Sequence, residues 1–524
     1  MELRPYQHEA IDAVIAARRA GTRRMVVCLP TGAGKTVIFA ELARRARKQV
    51  LVLAHREELL GQAVAKLAHG GSSVVALERG ADRAPDDAKI IVASLRSLHE
   101  ERLARVLAGR DFGLVVYDEC HHAAADDNLR ILRTLGAFRP DWDGTLLGFT
   151  ATTARGDGKG LDGVFERIVY ARSLPELIDA GYLARLKGYR IDTAADLTRL
   201  TRGGSDFADD ELAEAVDIED RNALVARSIQ ELARDRRTIA FCVTVNHARN
   251  LSRALNAIGV PAGVVHGAMA ADDRARALAR FRDGATRAIA NVGVLTEGFD
   301  DPGVSCVAMA RPTRSEGLYA QCIGRGTRLA PDKTDCLILD FVDVSRLSLC
   351  TLPSLFGCPR DLDLRGGDAG DAQRAWQQLM DDHDGFELEA GAVTLQEIQD
   401  RAASFDPLTL TANPEIRAIS ANAWFSLGRH GVGLHYERTA GEPSEVVVLA
   451  RGRRWEVSID GSVIERFATL ELAVEAVDFE VERHGRTPSA RDGAGWRAQR
   501  VDDGQTIANA LRLGVWRRVH RHGR

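Results

Sequence analysis

Five short, mostly branched apolar runs recur in the first 150 residues, at 24–29, 50–54, 90–93, 113–117 and 145–149, and stretches with helical spacing alternate with them. Runs this short and this continuously apolar suit strands buried on both faces. Strands that alternate with helices are joined by crossovers, which makes a parallel sheet with helices on both faces. The pattern then repeats, with "TIAFCVTV", "AGVVH", "RAIANVGVL", "SCVAMA" and "DCLILDF" as the second set of strands. The expectation is an α/β chain with two tandem parallel-sheet domains, 1–172 and 173–345. Within the second, "TRGGSDFADDELAEA" (201–215) reads as a flexible turn leading into an inserted acidic helix. Residues 346–420 read as a linker or accessory region, with a linker-like loop at "RGGDAGDAQ" (365–373). Residues 421–524 read as a few strands, a helix and a basic helical tail, a smaller α+β module.

The first apolar run leads straight into glycines: residues 24–36 are "RMVVCLPTGAGKT", followed by the helical "VIFAELARRA". Strand, glycine loop and helix form the setting a phosphate cradle requires. Thr31, Gly32, Ala33 and Gly34 belong to that cradle, the Lys35 ammonium reaches the terminal phosphates, and the Thr36 hydroxyl holds magnesium. The strict form of the pattern wants glycine at position 29, where this chain has leucine. A lone glycine loop is a weak signal and needs a partner. "FGLVVYDEC" supplies one: a buried-strand run ending in Asp118 and Glu119, 83 residues after Lys35. An aspartate at the end of a neighbouring strand can hold the magnesium, and the glutamate beside it can orient and deprotonate a water. The same stretch sets Asp118, Glu119, Cys120, His121 and His122 side by side, all possible metal ligands. Adjacent residues on a strand point to opposite faces, so five neighbours do not converge on one zinc ion. The spacing predicts an ATP-hydrolysis site.

Composition sharpens this reading at one place. The chain has 63 arginines and only seven lysines, at 35, 48, 66, 89, 159, 187 and 333. Where arginine is the default cation, a lysine in a special local context needs the ammonium itself. The eight cysteines lie scattered, mostly in apolar runs and with no C-x-x-C pair, which predicts reduced, buried thiols. Net charge is −4, but eight acids and no base lie between 206 and 220, and ten arginines face three acids from Arg483 onward. The tail "LRLGVWRRVHRHGR" sets Trp516 among basic residues. Trp424, Trp455 and Trp496 precede it, and core positions are the expected reading for these aromatics. No apolar run approaches the ~20 residues that span a bilayer, and "MELRPYQHEA" has no signal-peptide pattern. A cytoplasmic protein without membrane contact is the expectation.

With these motifs on the page, the chain resembles the superfamily-2 helicases over roughly residues 3 to 345. "DECH" (118–121) resembles the superfamily's acidic box, and "GFTAT" (148–152) the motif that couples hydrolysis to strand movement. "LRPYQ" (3–7) resembles the adenine-side element. "AHREELLGQ" (54–62) and "VASLRSL" (92–98) sit where the first lobe contacts the strand. "GVLTEGFDDPGV" (293–304) and "QCIGRGTR" (321–328) resemble the two motifs of the second lobe. Within the superfamily, "VVHGAM", "RPTRSEGLYAQCIGRGTRLAPDKTDCLILDF" and "DECHH" look most like the bacterial RadD group of DNA-repair helicases.

The resemblance implies two RecA-like lobes that close on ATP and magnesium and step along DNA, single-stranded or forked, in the 3′ to 5′ direction. It implies Gln7 as the adenine reader with Arg4 or Tyr6 nearby, and His121, Thr150 and Thr152 as coupling residues. Gly298 and Asp300 belong to the nucleotide side, Asp300 contacting ribose or coupling nucleotide to strand. Arg56 and Ser94 would touch the strand. Arg325 and Arg328, three apart and facing one way on a helix, would stabilise transition-state charge from the second lobe, with Gln321 joining their network. A repair-protein partner would dock through the C-terminal module. Relatives in the RadD group carry a cysteine-rich zinc module after the motor. Here only Cys350 and Cys358 lie in that region, so no zinc is expected. Three rival readings remain: an ATPase switch on nucleic acid, a restriction-type DNA motor without strand separation, and an RNA helicase. No lysine follows Lys333, which argues against a C-terminal nuclease of the kind that needs one.

Overall fold

The computed structural model describes residues 3–486 apart from 56–60, 62–63, 65–66, 68–74, 152–159, 199, 201, 204–205, 297, 346–347, 383–392, 404–415, 417–419, 421, 423, 427–430, 439–442 and 452–453. Arg56, Thr152, Trp496, Trp516 and the basic tail therefore lie outside the described residues. The chain divides into two compact units: Met1–Trp376 with Gly391–Leu395, and Gln377–Ala390 with Gln396–Arg524.

The first unit begins with helix α1 (Pro5–Arg19), strand β1 (Arg24–Cys28), α2 (Lys35–Arg45), β2 (Gln49–Ala54), β3 (Val75–Glu78), β4 (Ile90–Ser94), α3 (Glu100–Leu107), β5 (Phe112–Asp118), α4 (Asp126–Thr134), β6 (Thr145–Thr150) and β7 (Arg167–Ala171). The strands form one sheet in the order β3-β4-β2-β5-β6-β1-β7, and every pairing is parallel. On one face Leu51, Leu53, Ile91, Val115 and Tyr117 pack against Leu103 and Val106 of α3 and Ile131 and Leu132 of α4. On the other, Phe39 of α2 meets Phe149 of β6 edge-on at 5.7 Å. Both faces are covered, which is why every residue of β4 is buried and the strands read as unbroken apolar runs. The two edge strands carry shorter runs, Val75–Leu77 in β3 and Ile168–Ala171 in β7, and the side chains of β7 are exposed or half-exposed.

The connection to the second sheet is α5 (Leu174–Asp179), and the chain then enters β8 (Arg185–Asp196). A short hairpin, β9 (Arg202–Gly203) with β10 (Asp206–Phe207), precedes α6 (Asp209–Val216) and α7 (Glu219–Leu232). The acidic insertion thus holds a strand pair as well as its helix. The rest alternates: β11 (Arg237–Phe241), α8 (Val245–Ala257), β12 (Ala262–His266), α9 (Ala271–Arg282), β13 (Ala288–Val292), β14 (Val304–Met309), α10 (Glu316–Ile323) and β15 (Asp335–Val344). This sheet runs β12-β13-β11-β14-β15-β8 and is also wholly parallel. A bidentate ion pair lies buried beneath its carboxyl edge: Arg221 Nε and Nη2 reach Asp343 at 2.7 and 2.8 Å, and Arg221 Nη1 donates to the Ala310 carbonyl at 2.9 Å.

The stretch expected to be a linker behaves otherwise over its first part. Residues 348–376 belong to the first unit, with α11 (Leu352–Leu355), β16 (Leu362–Asp363), the start of α12 (Ala369–Asp382) and, later, β17 (Val393–Thr394). Gly188 of β8 allows the approach, because a Cβ there would sit 2.8 Å from Leu352. Gly366 N donates to the Gly188 carbonyl at 2.7 Å, and Gly188 N to the Gly367 carbonyl at 3.2 Å. Half of the supposed loop at 365–373 is thus docked on β8, and the rest is helix from Ala369.

The second unit contains α13 (Leu395–Ala403) for most of its length and an antiparallel sheet of β18 (Phe425–Ser426), β19 (Gly431–Arg438), β20 (Pro443–Arg451), β21 (Arg454–Ile459) and β22 (Ser462–Phe467). Helix α14 (Leu470–His484) follows, and β23 (Gly485–Arg486) pairs with β19. Trp424 is core here, packed with Val432, Val448 and Val477, and its Nε1 donates to Ser420 Oγ at 3.0 Å. The architecture is mixed α/β, two parallel-sheet lobes and a smaller α+β module. No helix among the described residues is long and apolar enough to cross a membrane.

Removing one half of a buried, hydrogen-bonded ion pair leaves an uncompensated charge, at a cost of about 3–5 kcal/mol. Arg221→Met should therefore lower the free energy of unfolding, measured in urea, by about that amount. Arg221→Met combined with Asp343→Leu should lose less than Arg221→Met alone.

Candidate functional site

Three loops leave the carboxyl edge of the first sheet side by side, because β6 pairs with both β1 and β5. The crevice outside the carboxyl ends is where an open α/β sheet receives a ligand. The loop after β1 is tied down at once: Leu29 N donates to the Thr150 carbonyl at 2.9 Å. Leu29 is fully buried and keeps an ordinary backbone conformation, so this loop closes without the glycine that the strict pattern would place there. The positive torsions fall instead at Gly32 (φ 88°) and Gly34 (φ 78°), which delivers the chain into α2 at Lys35. From α1, Tyr6 Oη and Gln7 Nε2 both donate to the Ala33 carbonyl, at 2.5 and 3.2 Å. The other end of the Gln7 amide accepts from Arg4 N at 3.0 Å. Gln7 is thus a buried brace for the loop in this structure, while Arg4 itself lines the open cavity.

Lys35 Nζ meets Glu119 Oε1 at 3.1 Å, with both side chains nearly buried. Burial pulls the ammonium's pKa down, but the Glu119 and Asp118 carboxylates outweigh it and hold Lys35 above its ordinary value. Glu119 sits in the left-handed region at φ 51°, rare for a residue with a side chain, and its N–H donates to Asp118 Oδ1 at 3.1 Å. His121 Nδ1 lies 3.2 Å from Thr150 Oγ1 and 3.5 Å from Glu119 Oε2, which joins the end of β6 to the carboxylate. The five potential metal ligands at 118–122 diverge. Cys120 is buried under Gly148, where an added Cβ would come within 2.7 Å of its sulfur, and His122 stacks on His55 at 5.4 Å. Asp118 and Thr36 line the same cavity with a carboxylate and a hydroxyl, hard oxygen donors that fit magnesium.

The facing wall comes from the second lobe. Arg325 Nη1 and Arg328 Nη1 both donate to the Phe299 carbonyl, at 2.8 and 2.9 Å, and Arg328 also pairs with Asp300 Oδ1 at 2.8 Å. Burial lowers the pKa of Arg328 against the opposing pull of Asp300 and Asp301. The lobes touch at the glycine loop: Thr327 Oγ1 donates to the Thr31 carbonyl at 3.3 Å, and a Cβ on Gly324 would lie 2.5 Å from Thr31 Cβ. Together these walls enclose about 220 Å³ lined by Arg4, Thr31, Gly32, Gly34, Lys35, Thr36, Asp118, Glu119, Gly298, Asp300, Arg325 and Arg328. Of the expected residues, Gln7, Ala33, Ser94, His121, Thr150 and Gln321 do not line this cavity. Gln321 is buried one turn before Arg325 and offers its carbonyl to Arg325 Nε at 3.4 Å. Ser94 is buried at the end of β4. Four lining or bridging residues were not among the expected site residues: Tyr182, and Pro302, Thr327 and Leu329, which lie inside the second-lobe stretches that carry the resemblance. Tyr182 lies between the lobes, receives Arg4 Nη1 on its carbonyl at 3.0 Å and packs 4.8 Å from the Tyr6 ring.

If Lys35 and Glu119 act as one buried pair, their substitutions are not additive. Lys35→Met and Glu119→Gln should each lower stability in thermal or urea unfolding, and the double variant should fall short of the sum by about 0.5–3 kcal/mol.

Comparison with known proteins agrees with this geometry. Residues 1–155 match the family described as "Type III restriction enzyme, res subunit", and residues 220–330 match "Helicase conserved C-terminal domain". The chain is 32% identical over 382 residues to IRC3 of Saccharomyces cerevisiae, named as a candidate ATP-dependent helicase, covering 70% of this chain and 55% of that one. It is 36% identical over 374 residues to irc3 of Schizosaccharomyces pombe, named as a candidate mitochondrial ATP-dependent helicase, covering 69% and 61%. The chain thus spans little more than half the length of these relatives. Among solved structures, a fragment of a candidate HsdR subunit of a type I restriction enzyme from Vibrio vulnificus superposes with a TM-score of 0.51 at 25% identity, covering 64% of this chain and 63% of that one. With both lobes matched in order around one nucleotide cleft, the chain belongs to the superfamily-2 helicases.

Proposed function

We propose that the protein hydrolyses magnesium-bound ATP and uses the cycle to move along DNA. One observation carries this reading: the Lys35–Glu119 pair with Asp118 on one lobe faces Arg325 and Arg328 on the other across a single cavity. A triphosphate entering there offers Lys35 a stronger partner than Glu119. Transfer of the ammonium to the phosphates releases the Glu119 carboxylate, which then orients a water and accepts its proton. Arg325 and Arg328 exchange the Phe299 carbonyl and Asp300 for the phosphoryl oxygens, where charge spreads in a loose transition state. Thr36 and Asp118 would hold magnesium, which supplies charge neutralisation at the phosphates. His121, bridging Glu119 and Thr150, reports the state of the carboxylate to the end of β6. Because the arginines sit on one lobe and the base on the other, hydrolysis alters the contact between lobes, and alternate opening and closing becomes a step along a strand.

The likeness to restriction-enzyme subunits favours DNA over RNA as the track. Kinship with the RadD group, and with it a role in DNA repair, belongs to the same proposal and rests on the motif words. Glu119→Gln should reduce turnover by about 100- to 10,000-fold while ATP binding persists. Arg325→Ala should cost about 1,000-fold or more. The deciding assay is ATP turnover alone and with single-stranded, duplex and forked DNA and with RNA, using Lys35→Ala as the blank. Stimulation by RNA only would overturn the DNA reading. Unchanged turnover in Glu119→Gln would remove the assigned base.

A further inference from the structure

Lys333 is a second lysine whose surroundings call for an ammonium. Lys48 and Lys187 meet carboxylates, and Lys89 meets a single carbonyl. Lys333, in the turn before β15, points its Nζ into a nest of three backbone carbonyls: Arg328 at 2.8 Å, Pro302 at 3.4 Å and Gly326. All three carbonyls meet one nitrogen, and only an ammonium carries three donors on a single atom. A guanidinium spreads its donors over separate nitrogens in a fork, as Arg110 does when it reaches carbonyls from both Nη1 and Nη2. In a chain with nine arginines for every lysine, that geometry explains the choice.

The three carbonyls belong to two segments. Pro302 follows the Phe299–Asp300 loop, and Gly326 and Arg328 belong to the tip that carries both arginines. On the cavity side the same segments are held together by Arg325 and Arg328 themselves, through the Phe299 carbonyl and Asp300. Those contacts must break when the guanidinium groups turn to a phosphate. The Lys333 bonds use main-chain oxygens and need not break. We infer that Lys333 is a positioning residue, a second clamp that keeps the two segments in register while Arg325 and Arg328 are engaged with nucleotide. Burial also lowers the pKa of Lys333, with the charge of Arg328 adding to that pull and that of Asp301 opposing it.

This inference rests on the ATP-hydrolysis reading, and its test separates the two. In the full chain, Lys333→Met and Lys333→Arg are compared with wild type for DNA-stimulated ATP turnover, for binding of a fluorescent ATP analogue and for melting temperature. A misplaced catalytic group can cost about 100-fold. The expected result is a kcat lower by about 10- to 100-fold, KM for ATP and analogue affinity within about twofold of wild type, and no recovery in Lys333→Arg. If the Met variant fails to fold, Lys333→Arg, which keeps charge and length, decides the matter. Wild-type kcat in either folded variant would overturn the inference and leave the ATPase reading standing. Parallel loss of kcat, analogue binding and melting temperature would assign Lys333 a purely structural role and also overturn it. A wild-type protein with no turnover on any nucleic acid would sink the ATPase reading and this inference with it.

Discussion

The contact between Lys35 and Glu119 depends on everything beneath it. Two residues 84 apart in sequence meet at 3.1 Å because β1 and β5 flank β6 in one parallel sheet, so their carboxyl ends open onto the same crevice. The sheet is there because both faces are covered by helices. The loop reaches the crevice because Gly32 and Gly34 take torsions that other residues resist. Glu119 accepts a left-handed torsion to turn its carboxylate inward, and the buried ammonium compensates that strain. Without nucleotide the pair neutralises itself. Each partner thus holds the other in place.

The second lobe repeats the logic with different partners. Arg325 and Arg328 rest on the Phe299 carbonyl and on Asp300, at distances that satisfy them without a ligand. Thr327 and Gly324 bring the same tip against Thr31, so the phosphate loop and the arginine loop share a surface. Catalytic geometry in such a cleft is a property of two bodies in contact. A small change where they touch shifts Arg325 and Arg328 relative to Lys35 and Glu119.

Most of the fold was legible because buried parallel strands leave a plain record. The runs at 24–29, 50–54, 113–117 and 145–149 fall on β1, β2, β5 and β6 nearly residue for residue. What escaped were strands that cover edges. β7 has only a short apolar stretch, Ile168–Ala171, on a partly exposed edge, and β8 is interrupted by Arg185, Lys187 and Arg190, so neither reads as a buried run. The docking of 348–376 on β8 was also hidden, since it turns on the missing side chain of Gly188 and the backbone bonds of Gly366 and Gly367. At the cavity, the glycines, Lys35, Asp118, Glu119 and the two arginines were legible because their chemistry admits few substitutes. Gln7 was legible as important, but its amide braces Ala33. Tyr182 was invisible, because an aromatic between two domains looks like any other.

The sequence by itself determined the order of the groups that line the cavity: a glycine loop with Lys35 and an acid pair, each after a buried strand, then two arginines after helix α10. Such features are local, since a glycine torsion or a run of branched residues is specified by a few neighbours. Only the tertiary structure decided which groups meet. Lys35 with Glu119, Thr327 with Thr31, and Lys333 with three carbonyls all join residues whose proximity is set by strand order and lobe contact. Strand order depends on helix packing across the whole sheet, and lobe contact on complementary surfaces with no common periodicity. Neither can be read from spacing along the chain.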